Sequence, residues 1–284
     1  MRATWHAFCF LQFLQIEEPA GGKFGVNEMA SLPLIRTLET LAANAWPPAE
    51  AEALDGWRLR FTGGVTRRAN SVWPNGSLAA PDVEPLLAEV ESFYAARRQP
   101  ARFQLSPAAE PADLDQQLAA RGYHSVARTA VQVAELAAIL RQTLPLRLRP
   151  EFEVEVSEEF DEEWFSLYLA IEHNNDPQAD IRQSILQRIA SPAGYTVLRV
   201  EGEPAAVGLG VVEGRWVGIF CMATVPHFRR RGAASAVLRT LAIWAQLYEA
   251  DHAYLQVMDE NRPAQMLYTR AGFETLYHYH YREK

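Results

Sequence analysis

The alternation of apolar and polar residues predicts strands and helices that follow one another along the chain. Residues 217–225 form an apolar run without a charge, which indicates a strand buried on both faces or, by periodicity alone, a buried piece of helix. Pro226 ends the run, because proline cannot donate to a sheet ladder and biases the preceding residue towards extended geometry. Further strands are predicted at residues 152–156, 195–200, 205–212, 254–257 and 273–281, and helices at 157–172, 181–189, 237–248 and 262–271.

The preceding part of the chain has the same character with shorter elements. Leu34, Leu38 and Leu41 recur at helical spacing, and Trp57 and Leu59 alternate with arginines as in a half-buried strand. The remaining predicted elements are a returning strand at residues 67–73, an amphipathic helix capped by Asp82, a strand at 102–105, a helix at 114–121 and a strand at 123–133. Alternating strands and helices indicate an α/β or α+β layer fold with a mixed sheet.

An internal duplication is indicated by two similar units. Phe103-Gln104-Leu105, a helix and Arg121-Gly122-Tyr123 parallel Leu255-Gln256-Val257, a helix and Ala271-Gly272-Phe273, and the second unit is two residues shorter between glutamine and glycine. We therefore predict two domains, residues 29–143 (the first half) and 151–284 (the second half), joined by a linker at 144–150 that contains two prolines.

Composition and charge narrow the classes of function. The net charge of −8 over 284 residues argues against a binder of nucleic acid or anionic membranes, whose domains are usually basic. Cys9 and Cys221 are the only cysteines, which excludes a disulfide framework and favours a reducing compartment, the cytoplasm. Cys221 lies in the apolar run, and we predict that it packs there as a small apolar side chain. No apolar stretch is long enough to span a membrane.

The segment before Met29 is predicted to be an extension. Arg2 precedes an apolar stretch at residues 7–16, but Gln12 and Gln15 interrupt it and no small-residue cleavage site follows. The segment is therefore a poor match to a signal peptide. We interpret residues 1–28 as a ragged extension or a mis-assigned start.

A basic turn with a glycine follows the apolar run. Three arginines at 229–231 precede Gly232 and two alanines, where a helical pattern begins. The first amides of a helix lack internal partners and the macrodipole adds positive charge, so a phosphate could be held there. The alternative is a solvated charge run before an ordinary helix. Neither a Walker loop nor a dinucleotide-binding fingerprint is present.

This turn and a second motif downstream resemble the GNAT superfamily of N-acetyltransferases. Arg229-x-x-Gly232-x-Ala234 is similar to that family's acyl-CoA pyrophosphate loop, Q/R-x-x-G-x-G/A. About 30 residues later, every position of the family's signature N-x-x-A-x-x-L-Y-x-x-x-G-F is filled, from Asn261 through Tyr268 to Phe273. The resemblance covers residues 151–284. It implies two GNAT-like domains, each with a mixed, mostly antiparallel sheet flanked by helices.

The resemblance further implies direct acetyl transfer from acetyl-CoA to an amine, without a metal or a covalent enzyme intermediate. Tyr268 would protonate the departing thiolate, since a phenol with a pKa of about 10 is protonated at pH 7; plain core packing is the alternative. Asn261 lies two helical turns earlier, about 10 Å away, where it could contact the pantetheine arm, cap its helix, or do both. The other residues implied to bind acetyl-CoA are Met222 and Thr224, through backbone groups exposed where two strands splay apart, and Val225, Arg229, Arg230, Arg231, Gly232, Ala233 and Ala234.

No general base is evident from the sequence. Residues 217–225, the strand on which many family members carry their base, contain no carboxylate or histidine. Glu172 and Glu213 are the candidate bases, and His173 and Asp176 fall where family members bind the acceptor. An ordinary surface charge is the alternative for each, and a water chain is the alternative base.

The first half resembles a degenerate copy. Leu118 occupies the position that corresponds to Tyr268, and no Arg-x-x-Gly-x-Gly/Ala loop lies between Trp73 and Asp82. Residues 62–70 resemble a stretch found in tandem members, and Arg67 and Arg68 within it either meet an acidic acceptor or, as we predict, lie in a solvated hairpin.

The final strand departs from the family's pattern. The chain leaves no room after it for the family's usual last strand, whose place the first half or a second subunit would take. His278 and His280 alternate with tyrosines there, and we predict an edge strand rather than a metal site.

The sequence thus predicts an acetyl-CoA-dependent N-acetyltransferase that acts on a small-molecule or peptide amine. We expect a cytoplasmic monomer or homodimer with no metal and no nucleic-acid or membrane partner. Because no base is identified, the alternative is a catalytically silent acyl-CoA-binding sensor or interaction module.

Overall fold

The computed structural model describes residues 5–6, 31–79, 82–144, 151–172 and 176–284. Within these ranges, none of the helices has the length and apolar character needed to cross a membrane. Most of the predicted linker at 144–150 and most of residues 1–28 lie outside them, so the domain boundaries stay predictions.

The first half begins with a helix whose start is encoded locally. Ser31 precedes its first turn, Pro33 lies within that turn, and Ile35, Leu38 and Leu41 form its buried face, as the helical spacing predicted. In chain order, the elements up to the linker are β1 (Trp5–His6), α1 (Leu32–Asn44), β2 (Glu50–Leu54), β3 (Trp57–Phe61), β4 (Val72–Trp73), α2 (Glu84–Ala96), β5 (Arg102–Leu105), α3 (Leu114–Ala120), β6 (His124–Glu135) and α4 (Leu136–Thr143).

The second half alternates strands and helices in the predicted order. Its elements are β7 (Phe152–Ser157), α5 (Glu162–Glu172), α6 (Ala179–Gln187), β8 (Ala193–Val200), β9 (Glu203–Glu213), β10 (Trp216–Thr224), a 3₁₀ turn (Pro226–Phe228), α7 (Ala233–Gln246), β11 (His252–Met258), α8 (Arg262–Arg270) and β12 (Glu274–Glu283).

The described strands of both halves join in one sheet. Its twelve strands run in the order β1-β7-β8-β9-β10-β11-β6-β12-β5-β4-β3-β2. The pairs β10–β11 and β4–β5 are parallel and the other pairs are antiparallel. The predicted fold class, a mixed and mostly antiparallel sheet flanked by helices, is confirmed, with the addition that the two halves share one continuous sheet.

The two halves exchange their last strands. Strand β6 of the first half lies between β11 and β12, with Val133 opposite Tyr254. Strand β12 lies between β6 and β5, with Tyr281 opposite Gln104. The first half therefore supplies the strand that the second half lacks. Of the two alternatives expected from the sequence, the first half or a second subunit, the structure shows the first.

The expectation that β12 is an edge strand is wrong, because it is paired on both sides. Its two histidines lie beside carboxylates. His278 Nε2 is 3.4 Å from Asp259 Oδ1, and His280 Nε2 is 2.8 Å from Asp115 Oδ1. In the described ranges, no group of three or more potential metal ligands is found.

The predicted strand at residues 67–73 is also wrong over most of its length, since only Val72–Trp73 pairs. The reason is the buried amide of Asn70, which holds residues 62–70 as a loop. Its Oδ1 accepts hydrogen bonds from the backbone N–H groups of Thr62 at 2.7 Å and Gly64 at 2.9 Å, and its Nδ2 donates to the carbonyl of Thr66 at 2.8 Å. These side-chain bonds satisfy backbone groups that a strand would have paired.

One helix boundary and two short elements differ from the prediction. The helix expected from Ser157 begins at Glu162, because Ser157 still pairs with Tyr195 in the sheet. Helix α4 and strand β2 were not predicted. Both are short. Strand β2 is largely exposed, whereas α4 does bury Leu136, Ile139 and Leu140 at helical spacing over only eight residues.

Helices on the two faces of the sheet determine where its ends lie. On one face, α7 packs on β8, β9 and β10 at very close range, because a Cβ on Gly208 would come within 2.6 Å of Val237 Cγ1. On the other face, Trp164 fixes α5 by donating its indole N–H to the carbonyls of Thr196 and Gly208, each at 3.1 Å. The C-terminal end of α5 and the N-terminal end of α7 are thereby held in place by the same strands.

A buried carboxylate joins the halves on the α5 face. Glu39 of α1 is 1% exposed and accepts hydrogen bonds from Tyr277 Oη at 2.7 Å, Gln104 Nε2 at 3.0 Å and Trp73 Nε1 at 3.3 Å. Burial raises the pKa of this carboxyl, and the three donors oppose that rise. One side chain thus connects α1, β4, β5 and the exchanged strand β12.

Replacing Glu39 by Ala is expected to lower the free energy of unfolding by about 2–4 kcal/mol, because three buried donors would lose their acceptor. Glu89→Ala is the matched control, since Glu89 lies exposed on α2 and its loss should cost less than about 0.5 kcal/mol. Denaturant unfolding measures both. Equal, small losses would show that the network does not stabilise the junction.

Candidate active site

Strands β10 and β11 separate part of the way along their length. Their parallel register runs from Trp216 opposite His252 to Ile219 opposite Leu255 and stops there, although both strands continue. Between Phe220 and Ala223 the register of β10 with β9 also shifts. Residues 220–224 of β10 and 256–258 of β11 therefore diverge and form what we call the fork.

The backbone of β10 presents groups to the fork. Val225 N donates to Ala205 O at 2.9 Å, on the β9 side. Because successive residues of a strand turn their backbone groups to opposite edges, those of Thr224 point towards the fork, where Arg229 Nε donates to Thr224 O at 3.1 Å. Met222 lies in the irregular stretch and has no register partner on either described neighbour strand. The predicted splaying of the two strands is thus present.

The turn after β10 leads directly into the N-terminus of α7. Gly232 is the N-cap residue and has φ +92°. A Cβ at this position would meet no atom within 4 Å, so the left-handed backbone, and not lack of space, favours glycine here. Ala236 N donates to Gly232 O, and no backbone partner is found in the described residues for the amides of Ala233 and Ala234, which open the helix.

Three arginines surround these amides. Arg229, Arg230 and Arg231 are all exposed, and none of them forms an ion pair with a described carboxylate. The Arg231 guanidinium lies over the Phe228 ring, 5.6 Å from its centroid. The turn therefore combines unpaired positive charge with unpaired N–H groups, an arrangement that can hold a phosphate or another anion.

Tyr268 lies on α8, which Asn261 caps. Asn261 Oδ1 accepts from Ala264 N at 3.2 Å, which confirms the capping reading of that residue. The Tyr268 side chain is 8% exposed and its ring packs edge-on against Phe273 at 5.8 Å. Burial raises the pKa of the phenol, and the negative charge of Glu172 raises it further. The Tyr268 hydroxyl is not both fully enclosed and without a hydrogen-bond partner.

Glu172 is the last residue of α5 and belongs to the same location. Surrounding protein raises the pKa of its carboxyl although part of the side chain meets solvent, and the positive charge of Arg229 opposes the rise. Because Glu172 shifts the pKa of Tyr268 and feels the charge of Arg229, it lies within electrostatic range of both the phenol and the arginine turn. A carboxylate with a raised pKa in such a position is suited to accept a proton.

The remaining candidates for the base and for acceptor binding are Glu213, Asp176 and His173. Glu213 faces Trp216 across the β9–β10 turn, about 26 Å from Thr224 along the strand, and accepts hydrogen bonds from Asn44 Nδ2. As a candidate base, Glu213 is wrong, because it lies at the opposite end of β10 from the fork. Asp176 forms an ion pair with Arg182 at 2.9 Å. His173 lies outside the described residues.

Two further residues lie at the fork, and one of them was misjudged from the sequence. Arg68, expected in a solvated hairpin, is partly buried, with its Nη1 donating to Gln256 Oε1 at 3.0 Å and its guanidinium 4.9 Å from the centroid of Trp46. Cys221 has φ +50° and shares a hydrogen bond with Tyr168, and burial raises the pKa of its thiol to about 11. Cys221 also packs against the apolar core of this face, as predicted.

Comparisons with known proteins agree with this geometry. The family model described as "Probable histone acetyltransferase Rv0428c C-terminal" matches residues 33–282. The chain is 30% identical over 253 residues to "Uncharacterized N-acetyltransferase YobR" of Bacillus subtilis (strain 168), covering 88% of this chain and 98% of that protein.

Solved structures share the fold at low sequence identity. A GCN5-related N-acetyltransferase from Kribbella flavida superposes with a TM-score of 0.65 at 15% identity, covering 88% of this chain and 95% of that one. A tandem GNAT protein from the clavulanic acid biosynthesis pathway superposes with a TM-score of 0.61 at 12% identity, covering 91% and 93%. The family match extends over nearly the whole chain, and this protein belongs to the GNAT superfamily of N-acetyltransferases.

Proposed function

We propose that the second half binds acetyl-CoA and transfers its acetyl group directly to a primary amine. The observation that carries the proposal is the fork, which opens beside the unpaired amides and arginines of the turn. Tyr268 and Glu172, which influence each other electrostatically, support it. In acetyl-CoA a diphosphate joins the nucleotide to the pantetheine arm, and the reacting sulfur is at the far end of that arm. The turn offers groups suited to the diphosphate, and the fork offers groups suited to the arm.

Donor binding would use the turn and the edge of β10. The diphosphate would accept hydrogen bonds from the amides that follow Gly232, with charge-assisted bonds from the neighbouring arginines. The pantetheine arm would pair with the backbone of Met222 and Thr224 inside the fork. Asn261, at the exposed start of α8, would contact the arm from the other strand. The complete set proposed for acetyl-CoA is Met222, Thr224, Val225, Arg229, Arg230, Arg231, Gly232, Ala233, Ala234 and Asn261.

Transfer would proceed by attack of the neutral amine on the thioester carbonyl carbon. The new C–N bond forms, the C–S bond breaks, and the thiolate takes a proton from the Tyr268 hydroxyl while the nitrogen loses one. Burial raises the pKa of Tyr268, but burial also disfavours a thiolate formed in the same place. Their difference in proton affinity, and not either pKa alone, governs this step.

Glu172 would receive the proton of the amine, directly or through a water molecule. An alkylamine is overwhelmingly protonated at pH 7. A nearby base that takes up this proton makes the neutral amine available for attack. The pKa of Glu172 is raised by burial, which makes its carboxylate a better proton acceptor than an ordinary surface glutamate. Its position beside Tyr268 is the observation that favours an enzyme over a silent acyl-CoA sensor.

The first half would not catalyse transfer. Leu118, which corresponds to Tyr268, is fully buried, and the parallel pair β4–β5 is closed by residues that follow β5, with Glu110 N donating to Pro74 O at 2.7 Å. We propose a degenerate domain at residues 29–143 and a catalytic domain at 151–284, in a cytoplasmic monomer or homodimer.

Calorimetric titration with acetyl-CoA, followed by thiol release with a panel of amines, tests the proposal. We expect binding that CoA competes for and thiol release that depends on one class of amine. Binding without release above background for any amine would favour the sensor. Absence of any heat on titration would end the proposal.

Replacing Gly232 by Ala should weaken acetyl-CoA binding about 10- to 100-fold. A left-handed backbone costs an alanine roughly 1–2 kcal/mol, and relaxation would turn an amide away from a charged phosphate. Gly214→Ala is the matched control, since Gly214 also has positive φ (+59°) and open space for a Cβ, but lies in the β9–β10 turn. If both variants bind equally well, the turn does not hold the diphosphate.

Replacing Tyr268 by Phe keeps the packed ring and removes only the hydroxyl. We expect kcat to fall about 100-fold or more, because a general acid is lost, while the affinity for acetyl-CoA is unchanged. Tyr248→Phe at the far end of α7 serves as control. Unchanged kcat in the Tyr268 variant would assign this residue to packing alone.

Glu172→Gln should lower kcat/KM about 100-fold and remove the acidic limb of its pH profile. A carboxyl group acts as a base only when ionised, and burial raises its pKa. In the unmodified enzyme, activity should therefore fall as the pH drops through a value above about 4.3, the ordinary pKa of glutamate. An acidic limb that persists in the variant, after rates are referred to the neutral form of the amine, would exclude Glu172 as the base.

A further inference from the structure

One arginine of the first half reaches the fork of the second half. Arg68 belongs to the loop at residues 62–70 that Asn70 holds in shape. The loop packs on α6, because Gln178 Nε2 donates to Gly63 O at 3.4 Å and a Cβ on Gly63 would come within 2.8 Å of Ile181. It therefore forms a wall of the second half's α5 face.

The guanidinium of Arg68 lies at the base of the fork. It donates to Gln256 Oε1 at 3.0 Å and lies 5.5 Å from the centroid of the Phe220 ring. Phe220 and Gln256 are the first residues beyond the last paired positions of β10 and β11. The positive charge of Arg68 also lowers the pKa of Cys221, the next residue along β10.

This cation has no counter-ion among the described residues. Four carboxylates belong to this region, and none of them forms an ion pair with Arg68. Glu39 accepts from three donors, Asp176 pairs with Arg182, Glu213 accepts from Asn44, and Glu172 is under the influence of Arg229. The hydroxyls and thiol that share the field of Arg68 are neutral at pH 7, because burial raises their pKa values; they belong to Tyr168, Cys221, Tyr254, Tyr279 and Tyr281.

The free N–H groups of Arg68 face space that a ligand can enter. A guanidinium carries five donors, and one hydrogen bond of Arg68 is found among the described residues. None of the Arg68 nitrogens is both fully enclosed by protein and without a hydrogen-bond partner, so the nitrogens without a partner are open to solvent. A partly buried cation without a counter-ion is costly, and an anionic group that entered this space would offset the cost.

The acceptor would approach from this side. Tyr268 packs in the core under α7 and α8, whereas Phe220, Tyr168 and Tyr254 pack in the core of the opposite face. A thioester in the fork would have its leaving group near the phenol, so the amine reaches the carbonyl carbon from the face that Arg68 lines.

We infer that Arg68 binds a carboxylate of the acceptor, so that the substrates are amines that also carry a carboxylate, such as amino acids. The inference rests on the proposed acetyl transfer and adds the class of its acceptor. The guanidinium provides paired donors that match the two oxygens of a carboxylate. It also gives the first half a direct part in substrate binding.

Matched acceptors test the inference: L-amino acids and their amides, compared at equal concentrations of the neutral amine, because loss of the carboxylate also lowers the pKa of the α-amine. The unmodified enzyme should acetylate the acids with higher kcat/KM. Arg68→Gln should lower kcat/KM for the acids about 10- to 100-fold, chiefly through KM, and leave the amides unchanged. Arg68→Lys should restore part of the loss. Arg67→Gln is the control, because Arg67 is exposed in the same loop and should not alter the preference.

Two results would overturn the inference and leave acetyl transfer intact: amides used as well as acids, or equal losses for both in Arg68→Gln. A second measurement does not need turnover. With CoA present, N-acetylglycine should raise the melting temperature of the unmodified protein, N-acetylglycinamide should not, and Arg68→Gln should lose the response. Identical responses to the two compounds would refute carboxylate binding, whereas failure of every variant to bind CoA would refute the proposed function.

Discussion

The pairing of β11 with β6 is the interaction on which the active site depends. Beyond Leu255, β11 continues along β6, with Gln256 opposite Val131 and Met258 opposite Thr129. Strand β10 instead stays with β9, where Thr224 lies opposite Ala206. Each strand keeps one hydrogen-bonded neighbour while it leaves the other, so the fork opens without leaving both edges of either strand unpaired.

A strand from the first half is therefore part of the second half's site. Without β6, the far edge of β11 would have no partner, and an unpaired edge is a template for unwanted association. Through the exchange of β6 and β12, the first half, which has Leu118 at the position that corresponds to Tyr268, supports the sheet of the second half. Its sheet, its buried Glu39 and its loop at residues 62–70 all support the surface on which the other half would work.

Local signals in the sequence predicted the backbone structure around the fork well. Pro226 ends the strand, Gly232 opens the helix in the left-handed conformation and Asn261 caps α8, because each of these effects acts within a few residues. The strands that splay were expected from the family resemblance, and the structure shows where they part.

The sequence named Glu172 and Arg68 only as alternatives among others, because the contacts that position them span long separations along the chain. Glu172 was one of several equivalent carboxylates until α5, fixed by Trp164, brought it beside Tyr268. Arg68 looks like any polar loop residue, and its hydrogen bond to Gln256 spans 188 positions. The interior position of β12 likewise follows from strand exchange. Its alternating sequence pattern fits an edge strand and an interior strand equally well.

The charge distribution explains how an acidic protein can hold anionic ligands. Twenty-seven basic residues face 35 acidic ones, yet charges farther apart than about 8 Å are largely screened at physiological salt. At contact range only the nearest side chains act, and the arginines at 229–231 and Arg68 lack described counter-ions. One set faces the end of the fork where a diphosphate would lie, and the other faces the side from which the acceptor would enter. Because only nearby side chains act at this range, the net negative charge of the whole chain does not oppose the binding of an anion beside these arginines.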